Sequence, residues 1–155
     1  MATHSIAAGL LMCRKSVGDL EFFLVHPGGP FFKNKNEGFW TIPKGLPEAN
    51  EDLLGAAQRE FKEETGITPG IPFHPLGSIK QKGGKVVHAW SFVGDWNPAD
   101  GIIANTFKME WPPRSGKFQE FPEQDRAEWM TYQKATRFIV AEQIPFLDRA
   151  REYFQ

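Results

Sequence analysis

The chain has 155 residues, 41% hydrophobic and 24% charged, with a formal net charge of −1 at pH 7. That length suits one domain spanning residues 1–155, and a domain of this size buries about 70% of the surface that its unfolded chain exposes. The near-zero charge predicts no general attraction to nucleic acid or to an anionic membrane, and no apolar run approaches the roughly eighteen residues of a membrane helix. Cys13 is the only cysteine, so no intramolecular disulfide can form; a reducing, cytoplasmic setting is expected, with Cys13 a buried inert thiol.

Taken in order, Ser5–Arg14 is apolar and rich in small residues, which predicts a buried strand. Without a basic leader or a small-residue cleavage site, Ile6–Cys13 reads as that strand rather than as a signal peptide. Lys15–Asp19 is a turn and Leu20–Val25 a second strand, giving a hairpin. His26–Gly38, HPGGPFFKNKNEG, carries glycines and prolines without periodicity and is a loop. Phe39–Ile42 is expected as a short strand.

A helix is predicted next. Asn50 serves as N-cap with Glu51 and Asp52 in the first turn, Leu53, Leu54, Ala57 and Phe61 form the apolar stripe, and Gly66 closes the helix as a left-handed C-cap. Its last turn breaks a rule. Glu60, Glu63 and Glu64 lie at i, i+3 and i+4 on one side, at the end where the macrodipole favours cations. Arg59 reaches Glu63 four residues on, yet one guanidinium cannot neutralise three acids. A hard divalent cation with a preference for oxygen ligands, Mg²⁺ or Mn²⁺, resolves that conflict.

Pro69–Pro75 is expected to be irregular, and Leu76–Gln81 and Lys85–Val93 to flank a turn at Lys82–Gly84. Asn97–Pro122 reads as a long polar-aromatic segment without regular structure, a length often kept for function. Ala127–Thr131 is a short strand. Tyr132–Phe154 is largely helical, broken or restarted at Pro145, with Phe138, Ile139, Phe146, Leu147, Ala150 and Phe154 on its buried side. This order argues for helices packed on both sides of a mixed sheet, while periodicity alone leaves α/β and α+β open. His26, His74 and His88 show no zinc-binding spacing and are read as structural.

The stretch Gly45–Ile67, GLPEANEDLLGAAQREFKEETGI, resembles the Nudix box GX5EX7REUXEEXGU, in which U is a bulky aliphatic. Every fixed position matches, and Phe61 replaces an aliphatic at a packing position. The resemblance implies an α/β/α sandwich with a mixed central sheet and a loop–helix–loop catalytic motif. It also implies a Mg²⁺-dependent hydrolase of diphosphate linkages, with Mn²⁺ a possible substitute. By the same resemblance Glu60, Glu63 and Glu64 are metal ligands, the Lys44 carbonyl is a further one, and Arg59, paired with Glu51, orients the acids. Glu63 and Glu64 are also candidates for the catalytic base. Glu123 precedes Trp129 by six residues, the spacing at which some family members carry an extra acid, so Glu123 is the candidate additional ligand or general base, with Glu120 behind it.

Trp40–Gly45 and Lys85–Trp90 resemble the corresponding segments of diadenosine tetraphosphate hydrolases, although Ala89 stands where those enzymes often have a base-stacking tyrosine. Lys44 and Lys85 are thus expected to contact phosphate, with Lys82 more simply a surface turn residue. Phe31, Phe32, Phe107 and Trp111 are loop aromatics able to stack a base. The expected substrate is a small phosphoanhydride, foremost a dinucleoside polyphosphate, with mononucleotides or inositol pyrophosphates as alternatives and a non-cleaving nucleotide sensor as another. No nucleic-acid or membrane partner is expected, and the protein is read as a monomer or homodimer.

Overall fold

The computed structural model describes residues 5–154. Strand β1 (Ile6–Ser16) sends Ala7, Leu11 and Cys13 to one face and Ala8, Leu10 and Met12 to the other. Strand β2 (Asp19–Pro27) does the same with Phe22 and Leu24 against Phe23 and Val25. Being covered on both faces, these strands read as nearly continuous apolar runs. The remaining long strands are β4 (His74–Lys80), β5 (Val86–Val93) and β8 (Gln124–Thr131), and the sheet runs β4-β5-β1-β2-β8. β1 pairs parallel with β5, whereas β4, β2 and β8 pair antiparallel with their neighbours, so the sheet is mixed.

Helix α1 (Leu53–Thr65) covers one face through Ala56, Ala57 and Phe61. Helices α2 (Tyr132–Phe138) and α3 (Ile144–Tyr153) cover the other through Ala135, Phe146, Leu147 and Ala150. This is the α/β/α sandwich expected, and Pro145 stands in the first turn of α3, where its missing N–H costs nothing. Cys13 is fully buried, and burial pushes its thiol well above the ordinary range. Among the described residues no helix is long and apolar enough to cross a membrane.

The site depends on a wedge. β1 and β2 pair over Cys13–Ser16 and Asp19–Phe22, then part, and residues 41–45 enter between them. Val25 and Thr41 exchange backbone hydrogen bonds at 2.9 and 3.0 Å, and Leu10 N donates to Pro43 O at 3.2 Å. The two-residue strand β3 (Lys44–Gly45) then pairs with Ala8 and Gly9. The expected strand at Phe39–Ile42 is therefore only a pair of isolated bridges, at Trp40 and Thr41. Ile42 N donates instead to Oε1 of the fully buried Gln143 (3.1 Å), so a side chain replaces a strand partner there.

Two further expectations are corrected. The helix begins later than read: Asp52 is the N-cap, accepting from Gly55 N at 2.8 Å, while Asn50 has φ 66° and belongs to the preceding turn. Glu51 is drawn away by Arg59, which leaves the capping role to Asp52. Residues 97–122 are not structureless but include an antiparallel hairpin, β6 (Thr106–Glu110) with β7 (Phe118–Pro122). Neither of its strands contains a fully buried residue, so burial leaves no clear imprint on its sequence.

Phe61 sits at ring-centroid distances of 5.9 Å from Phe23 and 5.3 Å from Phe92 and is fully buried. Phe61→Ala should destabilise the fold by about 3–5 kcal/mol, and Phe61→Leu by clearly less. Denaturant melts of the two variants check this; equal stability of Phe61→Ala and the parent would place the packing elsewhere.

Candidate active site

Arg59 is the hub. Its Nε donates to Glu51 Oε2 (2.8 Å) and its Nη2 to Glu51 Oε1 (2.9 Å) and Leu46 O (3.0 Å). Its Nη1 donates to Glu60 Oε1 (2.8 Å) and Glu63 Oε2 (3.0 Å). The guanidinium, with Glu48 N donating to Oε1 as well, holds the Glu51 carboxyl down to about 2. One cation thus ties the entry loop to the last helical turn, and Glu64 is the acid it does not reach.

Glu64 is 7% exposed. Burial pushes its carboxyl up to about 8 and the Glu60 charge adds to that, while Lys44 and Gln124 offset part of it. Gln124 Nε2 donates to Glu64 Oε1 at 2.6 Å. Glu60 folds against β3, where a Cβ on Gly45 would lie 2.1 Å from its Cδ, so the first glycine of the motif is there to admit a carboxylate. The ammonium of half-buried Lys44 is pushed down by burial and by Lys85 beside it, and pulled back up by Glu64 and Glu60.

The Glu123 turn is brought to this helix end by backbone. The last carbonyls of a helix lack internal partners. Gly66 N, in a left-handed C-cap with φ 79°, donates to Lys62 O. Ile103 N donates to Thr65 O (2.9 Å) and Asn105 N to Glu63 O (2.9 Å), and Asn105 O accepts from Glu123 N (2.7 Å). Lys44, Gly45, Leu46, Glu60, Glu63, Glu64, Asn105 and Glu123 then line one cleft of about 390 Å³. Glu123 is exposed overall, yet desolvation of its carboxyl, then Glu60, raises its pKa.

Glu60, Glu63, Glu64 and Glu123 therefore share one cleft with Lys44, and Lys85 stands beside Lys44. Glu120 lies outside it, accepting from Thr106 Oγ1 on the hairpin. Lys82 lies in the β4–β5 turn and is exposed. His26 is fully buried between Asp125 Oδ1 and Lys35 O, and His74 stacks on Tyr153 at 4.0 Å, both in packing roles. Gln124 and Asn105 carry no local signal of their parts, because each acts only once the hairpin has docked.

Among the described residues, no three His, Cys, Asp or Glu side chains stand close enough to cage a metal by themselves. The donor set nevertheless suits a hard cation. Arg59 occupies one oxygen each of Glu60 and Glu63, and Gln124 one of Glu64, so each carboxylate keeps a second oxygen. The Glu64 carboxyl, raised first by burial and then by the Glu60 charge, is one whose ionised form a bound cation would favour.

A model of the NUDIX domain matches residues 3–150. The chain belongs to the Nudix family. The "Bis(5'-nucleosyl)-tetraphosphatase [asymmetrical]" of Caenorhabditis elegans is 44% identical over 62 residues, which is 40% of this chain and 41% of that protein. Nudix hydrolase 7 of Arabidopsis thaliana is 38% identical over 66 residues, 43% of this chain and 22% of that one. Both matches thus span less than half of the relative's length. Among solved structures, a C. elegans Ap4A hydrolase binary complex superposes with TM-score 0.64 at 27% identity, covering 97% of each chain. The NUDIX domain of Shewanella oneidensis NrtR, complexed with ADP ribose, superposes at 0.66 with 16% identity, covering 100% and 91%, a likeness of fold alone.

Because the Glu64 pKa is higher folded than unfolded, the folded state binds the extra proton and loses stability as pH rises from about 4.5 towards 8. Glu64→Gln removes that penalty. In metal-free buffer the variant should be more stable than the parent at pH 8 by on the order of 1 kcal/mol or more, with the gap narrowing towards pH 5. Thermal melts across that range test it, and a gap independent of pH would mean that Glu64 titrates normally.

Proposed function

We propose that this protein is a Mg²⁺-dependent pyrophosphohydrolase that cleaves a diphosphate linkage in a dinucleoside polyphosphate by water attack on phosphorus. The observation that carries the reading is the convergence of Glu60, Glu63, Glu64 and Glu123 on one cleft with Lys44 and Lys85 at its edge. The similarity to the C. elegans Ap4A hydrolase over nearly the whole chain supports this substrate class.

Glu60, Glu63 and Glu64, with the Lys44 carbonyl and Glu123, would hold the cation. When bound, a divalent cation neutralises phosphate charge and makes water more acidic. The chain supplies the rest. Lys44 and Lys85 act as point charges on the non-bridging phosphate oxygens. Arg59 holds Glu60 and Glu63 in register and frees neither to drift. Glu123, with its raised pKa, takes the proton of the attacking water as the new P–O bond forms. The bridging P–O bond breaks, and the leaving phosphate departs with its electron pair. Glu63 and Glu64 are the alternative bases.

Product analysis with a panel of dinucleoside polyphosphates, mononucleotides and inositol pyrophosphates tests this. Turnover should vanish in chelator and return with millimolar Mg²⁺ or Mn²⁺, and Glu63→Gln and Glu64→Gln should each lower kcat by about 100-fold or more. Full turnover by both variants overturns the mechanism; nucleotide binding without cleavage makes the protein a sensor. Lys85→Ala should raise KM roughly tenfold with little change in kcat, and unchanged kinetics across the panel would return Lys85 to the surface.

A further inference from the structure

Among the described residues the hairpin β6–β7 pairs with no other strand, and an isolated two-stranded hairpin is only marginally stable in water. It is nonetheless pinned to the body. Gly28 N donates to Glu123 O at 3.0 Å, and a Cβ on Gly28 would lie 2.0 Å from Pro122 O, so the 26–38 loop and the hairpin base touch backbone to backbone. A Cβ on Gly29 would come within 3.0 Å of the Phe107 ring. His26 reaches across from β2, one ring nitrogen facing Asp125 and the other Lys35 O, which fixes the loop a second time.

Between loop and hairpin lies a second cavity of about 420 Å³, lined by Lys33, Asn34, Trp111, Gln119, Phe121 and Asp125, among others. It is next to the acidic cleft: Pro122 and Asp125 line the cavity, while Glu123 lines the cleft and Gln124 bonds Glu64. Phe31 packs edge-on against Trp111 (5.6 Å, 78°), which holds the indole in place. Gln119 gives one amide N–H to Trp111 O and Asp125 engages Oδ1 with His26, leaving Gln119 Oε1 and its second N–H, and Asp125 Oδ2, for a ligand among the described residues.

We propose that this cavity is a nucleobase subsite, which takes the base of one nucleoside of the substrate against Trp111 and Phe121 and hydrogen-bonds its polar edge with Gln119 and Asp125. The inference rests on the polyphosphate reading of the neighbouring cleft and adds to it the group that is recognised. The volume suits one small planar ligand, the walls combine aromatic faces with a few polar groups, and aromatic faces stack bases whatever their sequence. The lining offers donors at Lys33, Asn34 and the second Gln119 N–H as well as acceptors, so its polar groups can meet either an amino or a carbonyl edge of a base. Lys33 at the rim supplies a charge for a phosphate of the bound nucleoside.

The test uses intrinsic tryptophan fluorescence with AMP, IMP and ribose 5-phosphate as probes, beside steady-state kinetics on diadenosine tetraphosphate. AMP and IMP should both quench the wild-type signal and ribose 5-phosphate should not, and Trp111→Ala should abolish the quench. Trp111→Ala should also raise KM by roughly 5- to 100-fold, the range for losing one base–aromatic stack, with kcat within about twofold. Trp111→Phe should restore most of the KM, and Gln119→Ala, on an exposed residue, should weaken the AMP quench without abolishing it. The quench should persist in Glu64→Gln, which separates the subsite from the chemistry. If AMP quenches through Trp111 but no nucleotide is hydrolysed, the subsite stands and the hydrolase reading fails. If Trp111→Ala leaves both quench and KM unchanged, or if AMP does not quench the wild type, the subsite is overturned.

Discussion

Every N–H of the Arg59 guanidinium has an acceptor, and the rest of the acidic end is arranged around that fact. A planar fork with five donors can join groups that a lysine cannot. Here it spans the entry loop at Leu46 and Glu51 and the helical turn at Glu60 and Glu63. Two segments that are distant along the motif are thereby held at fixed separation. The capped start at Asp52 and the left-handed close at Gly66 then set where the turn ends, and β3 presses Gly45 against the Glu60 carboxylate.

What Arg59 leaves undone is as informative. Glu64, buried beside Glu60 with Lys44 and Gln124 as its favourable neighbours, is an acid placed where folding alone would choose a neutral group. The chain tolerates the cost because α1 is anchored elsewhere, through Ala56, Ala57 and Phe61 in a core shared with Phe23, Phe92 and Trp129. Stability and the acid cluster are thus carried by different faces of one helix. The apolar face meets the sheet, and the charged edge faces the cleft.

The parts legible in the sequence are those whose physics is local. Helix α1 shows in its apolar spacing, its Gly66 cap and its acid triplet, and the hairpins show in glycine turns between apolar runs. The helical C-terminal segment shows both in its periodicity and in its break at Pro145. The errors arise where a distant partner decides. Asn50 is a good cap by type, but Arg59 organises Glu51 and the helix starts at Asp52. Ile42 looks like strand, yet Gln143 takes its N–H. The β6–β7 hairpin contributes to no core, so its Phe107 and Met109 alternation passes for loop. Glu123 is found by spacing from Trp129, whereas Gln124 beside it, which touches Glu64, has no local mark at all.

The hairpin is joined to the acidic cleft almost wholly through main-chain atoms: Asn105 to Glu63 and to Glu123, and Gly28 to Glu123. Main-chain bonds do not depend on which side chains are present. Residues 106–121 can therefore change in composition, and even in length, while the turn that presents Glu123 keeps its position. Such an attachment behaves as a socket. A lineage, or a library of variants, can exchange what is plugged into it and sample new ligands beside an acidic cleft that does not move.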